Sequence, residues 1–83
     1  MMYTLTKRII GQSTPIAVKG FIYDNLADLL DDFKEILREC DKTEGFVTNT
    51  IKSINKCFIS DKTHGYCIRL KRTTSYWIEK IQI

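Results

Sequence analysis

Between residues 25 and 41 the apolar side chains Leu26, Leu29, Leu30, Phe33, Ile36, Leu37 and Cys40 recur at steps of three and four. That period puts them on one stripe of an α-helix. Asp24 and Asn25 stand just before the stripe, where a side-chain oxygen can accept from a free backbone N–H of the first turn. The spacing predicts a helix over residues 25–41. A stripe this wide must be buried against another layer, and 83 residues make one domain, spanning 1–83. A chain of that length buries roughly 60–65% of its unfolded surface, enough to fold without metal or disulfide.

The sequence on either side of the helix has a period of two. Tyr3, Leu5, Lys7 and Ile9 alternate with Thr4, Thr6, Arg8 and Ile10, which predicts a strand over about residues 2–10. Gly11 to Pro15 supplies a turn. Ile16, Val18, Gly20 and Ile22 then form one face of a second strand, with Gly20 marking a bulge or a close crossing by the helix. Residues 46–60 fit two patterns. Val47, Ile51, Ile54 and Phe58 have helical spacing, while Thr48, Thr50 and Ile51 with Cys57, Phe58 and Ile59 suit a strand. The strand is preferred, because the segment that follows needs an antiparallel neighbour. Asp61 to Gly65 forms a turn. Tyr66, Ile68 and Leu70 alternate with Cys67, Arg69 and Lys71, and a turn at Arg72 to Ser75 leads into a last strand, Tyr76 to Ile83.

The expected fold is therefore α+β: a single amphipathic helix packed on one face of an antiparallel sheet, in the order β-β-α-β-β-β. One helix cannot cover both faces, so the other face is left to water or a partner. A two-residue loop at Thr73-Thr74 would set Leu70 opposite Trp77, Ile68 opposite Glu79 and Tyr66 opposite Ile81 on the helix side. The free face would then carry Cys67, Arg69, Lys71, Tyr76, Ile78 and Lys80. A slip of one residue would exchange the two sets.

The charges are sorted along the chain. Residues 24–44 hold eight acids against three bases, a net of −5, while the remainder holds ten bases against two acids, a net of +8. Fields of opposite sign on two sides of a small domain act on partners. Asp28, Asp31, Asp32 and Glu35 make an acidic ridge on the helix that includes like-charged pairs four apart, which helix stability does not require. Arg69, Lys71, Tyr76 and Lys80 make the matching candidate basic face.

Several chemistries find no footing. Cys40, Cys57, His64 and Cys67 are spaced C-x16-C-x6-H-x2-C, whereas structural zinc sites use ligand pairs two to four residues apart. No metal and no cofactor is expected. Three cysteines are an odd number, unlike a secreted disulfide scaffold, and a cross-strand Cys57–Cys67 bond is a disfavoured alternative. The glycines are isolated, so no phosphate loop forms. The carboxylates lie along one helix without a converging partner, and no enzymatic activity is expected. No apolar run reaches membrane-span length, and no signal-peptide core follows the basic pair Lys7-Arg8. A cytoplasmic protein that does not contact membrane is the expectation.

What remains is binding. The leading expectation is a non-catalytic protein that occludes another protein through charged surfaces, as many small accessory proteins of phages and other mobile elements do. The alternative is a small nucleic-acid-binding regulator that uses the basic-aromatic sheet face. Homodimer formation is a further expectation, through a sheet edge or the free face, because the terminal strand Tyr76 to Ile83 is apolar and carries only Glu79 and Lys80 as blockers.

Overall fold

The computed structural model describes residues 2–60 and 64–81. Its elements run β1 (Met2–Ile9), β2 (Ile16–Tyr23), α1 (Leu26–Glu39), α2 (Glu44–Ile59), β3 (Gly65–Lys71) and β4 (Thr74–Ile81). The four strands form one antiparallel sheet in the order β2-β1-β4-β3. The fold is α+β, with two helices rather than one. The expected turn at Asp61 to Thr63 and the strand residues Gln82 and Ile83 lie outside the described residues.

The helix predicted over 25–41 is α1. Asn25 caps it by accepting from the Asp28 N–H at 2.9 Å. It ends in a Schellman motif: Lys42 N–H donates to the Leu37 carbonyl, and Asp41 N–H to the Arg38 carbonyl. Asp41 supplies the left-handed residue at φ 59°. This tight stop turns the chain straight into α2.

Residues 46–59, expected as a strand, belong to α2. Thr43 caps the helix by accepting from the Phe46 N–H at 3.1 Å, and Glu44 sits in the first turn, where it suits the helix dipole. Val47, Thr50, Ile54 and Phe58 form the buried stripe. Two facts decide for the helix. The antiparallel neighbour that β3 needs is β4, reached by a tight turn. Four strands at about 4.8 Å spacing are also wider than one helix can cover.

The core lies between the helices and one face of the sheet. Leu5, Leu29, Phe33, Leu37, Ile54 and Ile78 are its most deeply buried large side chains. Phe33 of α1 meets Tyr76 of β4 edge-on at 5.9 Å, and Phe58 of α2 meets Tyr3 of β1 at 5.6 Å. These contacts set which side of each strand faces the helices.

The register between β3 and β4 lies three residues from the expected one, with Ile68 opposite Tyr76 in place of Glu79. The loop is Arg72-Thr73, closing Lys71 against Thr74, and Leu70 is an extra residue bulged between the Arg69–Ser75 and Lys71–Thr74 pairs. Ile68 therefore lies opposite Tyr76, Cys67 opposite Trp77 and Tyr66 opposite Ile78. Tyr76, Ile78 and Lys80 turn toward the helices and are buried, while Trp77, Glu79 and Ile81 turn outward. Two features fix this choice: Leu5 pairs with Ile78 in the centre of the core, and Glu79 stays in water. Trp77, expected in the core, is 41% exposed.

β4 is an interior strand, so the expected edge for self-pairing is already occupied on both sides. The edges are β2 and β3. β2 is interrupted where a bulge was expected. Its pairing with β1 shifts between Ala17 and Ile22, and Lys19 and Phe21 both take positive φ, 53° and 65°. Non-glycine residues there cost about 1 kcal/mol each, so something must hold them. Tyr23 does: its hydroxyl accepts from the Gly20 N–H at 3.0 Å and donates to Asp32 of α1 at 2.7 Å.

Candidate functional site

With both helices on one side, no described element covers the opposite sheet face, and its composition follows from register. Arg8 of β1 and Arg69 of β3 both pair with Ser75 of β4, so one row reads Arg8–Ser75–Arg69. The next row reads Ala17–Thr6–Trp77–Cys67, and the one after it Ile22–Thr4–Glu79–Gly65. Met2 and Ile81 pair beyond that. The turn residue Arg72 follows at the basic end and is exposed. The face is thus graded, from arginine at one end, through Trp77, to Ile22, Met2 and Ile81 at the other.

A shallow depression of about 400 Å³ lies on the basic side of Trp77, lined by Thr6, Arg8, Pro15, Cys67, Ser75, Tyr76 and Trp77. The indole leans away from it, over Gly65. A Cβ at Gly65 would come within 2.3 Å of the indole carbon Cζ2, so only glycine leaves room for the ring in this position. The tryptophan is therefore held beside the depression, with the space over Ser75 open.

Charge pairing separates this face from the rest of the surface. Lys19 lies 3.4 Å from Glu35 and 3.7 Å from Glu39, Lys34 lies 3.6 Å from Asp31, and Arg38 makes two 3.1 Å bonds to Glu44. The hydrogen bond that Lys19 donates to Glu35, and then the charge of Glu39, hold its ammonium above its ordinary pKa. The Arg38 bond holds the Glu44 carboxyl below its own. Among the described residues, Arg8, Arg69 and Lys71 form no ion pair.

The expected acidic ridge is partly taken up within the molecule. Asp28 bonds the capping Asn25, Asp31 pairs with Lys34, Asp32 accepts from Tyr23, and Glu35 pairs with Lys19. A groove of about 320 Å³ between the helices, lined by Lys34, Arg38, Val47, Thr48, Ile51 and Lys52, has two of its bases already paired.

Of the four residues expected on the basic face, Arg69 is there and exposed; Lys71 is exposed at the end of the sheet, but the bulge at Leu70 pairs it with Thr74 in the helix-side row of Ile9, which corrects its placement. Tyr76 and Lys80 are on the helix side, at 9% and 8% exposure, which corrects their placement. Burial, chiefly, pushes the Tyr76 hydroxyl above its ordinary pKa. Sequence reasoning passed over Arg8, Thr6, Ser75 and the outward position of Trp77. The alternation Thr4, Thr6, Arg8 was the usable signal, because it assigns Arg8 to the face opposite Leu5.

Cys57 is half-buried on α2 and Cys67 is exposed on the far side of the sheet, so the hairpin assumed for a cross-strand bond does not exist. No cluster of three or more metal-ligand side chains occurs among the described residues. Nor is any helix among them long and apolar enough to cross a membrane. Comparison with known protein families, curated proteins and solved structures returned no match.

Proposed function

We propose that this chain is a non-catalytic binding protein that docks on another protein through the open face of its sheet and acts by covering the surface it occupies. The observation that carries this reading is Trp77: a large aromatic, 41% exposed, central to the open face and next to the one row that holds both Arg8 and Arg69. Tryptophan and arginine are the residues most enriched among those that dominate protein–protein binding energy. The exposed Ile22 and Ile81 on the same face extend the apolar centre. Occlusion requires only shape, apolar area and charge, which this face has.

The experiment separates the open face from the acidic ridge. Immobilised wild-type protein, Trp77→Ala and Asp31→Lys are compared for retention of a partner from nuclease-treated lysate. Retention by wild type and Asp31→Lys, with loss in Trp77→Ala, supports the reading. Retention by Trp77→Ala with loss in Asp31→Lys overturns it in favour of the helix side.

A further inference from the structure

The grading of the open face specifies what kind of segment it takes, given the reading of that face as a protein-docking surface. Neighbouring strands are about 4.8 Å apart, so the Arg8 and Arg69 backbones stand about 10 Å apart across Ser75. Two arginines at that separation can bring both guanidinium groups onto one anion above the serine, with the Ser75 hydroxyl as a further donor. Guanidinium groups match planar carboxylates in paired hydrogen bonds. Trp77 follows Ser75 by two residues on the same strand, about 7 Å along it. An anion over Ser75 therefore has an aromatic wall and a depression of about 400 Å³ beside it. Beyond Trp77 the face turns apolar at Ile22 and Ile81.

We infer that the open face receives a short acidic and apolar segment of a partner protein, with a carboxylate held over Ser75 by Arg8 and Arg69 and an apolar side chain packed against Trp77. Charge complementarity supplies the argument for this occupant. The bases at this end have no acidic partner among the described residues, unlike Lys19, Lys34 and Arg38 on the helix side. Single-stranded nucleic acid fits less well. Its phosphates would run from the arginines toward Glu79, and its successive bases need successive aromatic platforms. Trp77 is the one aromatic in paired register on this face among the described residues.

Trp77 is the only tryptophan in the chain, so its emission reports occupancy directly. Short random peptides are selected on the immobilised protein, and the winners are titrated against wild type, Arg8→Gln, Arg69→Gln and Trp77→Phe, each checked for folding by circular dichroism. Trp77→Phe carries no tryptophan, so its binding is read by calorimetry. The expected winners pair Asp or Glu with aliphatic or aromatic residues and shift the indole emission. Each arginine substitution should weaken them about tenfold, and added salt should weaken them further. Winners without acidic residues that still shift Trp77 and ignore both arginine substitutions would overturn this inference while leaving the docking face intact. Winners that leave Trp77 unmoved would overturn both. Tight, steeply salt-dependent quenching by a single-stranded oligonucleotide would replace the protein segment with nucleic acid.

Discussion

Replacing Tyr23 by Phe removes one oxygen and tests how β2 is held. That hydroxyl makes two hydrogen bonds, one from the Gly20 N–H at 3.0 Å and one to the Asp32 carboxylate at 2.7 Å. The first braces a backbone that carries Lys19 and Phe21 at positive φ. The second ties the bulge to α1. A hydrogen bond to a charged group contributes about 1.5–3 kcal/mol, and one to a neutral amide about 1 kcal/mol. Gly20 is exposed and Asp32 is half-exposed, so water replaces part of the loss. The expected cost is about 2 kcal/mol, or about 10 °C in melting midpoint for a domain this small. The pH dependence gives a second test of the same hydroxyl. Burial first, then the bond to Asp32, pushes the Tyr23 pKa up to about 12 from the ordinary 10. A raised pKa means that the folded state favours the neutral phenol. The associated stability is complete below pH 10 and is lost as pH rises toward 12. Tyr66 and Tyr76 are also raised, so alkaline unfolding of the wild type alone does not isolate Tyr23. The difference between wild type and Tyr23→Phe does. Urea unfolding at pH 7, and at steps between pH 9 and the alkaline limit, should show that difference at about 2 kcal/mol and then shrinking above pH 10. A variant as stable as wild type at pH 7, or a difference that stays constant with pH, would refute the argument.

Phe33→Ala should cost about 3–5 kcal/mol, because Phe33 is fully buried against Tyr76, and a thermal melt with an unchanged midpoint would contradict that packing. Gly65→Ala should leave the protein folded but displace the indole, seen as a red shift of the single tryptophan's emission, since the new Cβ takes the space of Cζ2. Arg38→Ala should lower stability slightly at neutral pH and less in high salt, because both ends of its pair with Glu44 are exposed. Ser75→Glu should abolish binding through the open face without affecting folding, since the new carboxylate would sit between Arg8 and Arg69. Unchanged affinity for the selected peptides would remove that row from the site.

The local pattern of the chain determined α1 and the strands around it. The stripe Leu26 to Leu37 has one periodic solution, and Asn25 and Asp41 mark its ends by side-chain capping and backbone chirality, both local effects. The alternations at Tyr3 to Ile9 and Tyr66 to Leu70 were equally readable, and so was the bulge at Gly20, because each depends on neighbours in sequence. Residues 44–59 were not decided locally, since Val47, Ile51, Ile54 and Phe58 fit a helix while the threonines fit a strand. Packing settled it, because the four-stranded sheet is wider than α1 alone can cover. The open face depended on tertiary structure still more. Arg69 was legible on it, but Lys71, Tyr76 and Lys80 fall in helix-side rows and Trp77 turns outward because Leu70 is bulged. Turn residues alone do not reveal one extra residue. Pairing with β1 fixes it, setting Ile78 against Leu5 in the core and Ser75 between two arginines that stand far apart in sequence.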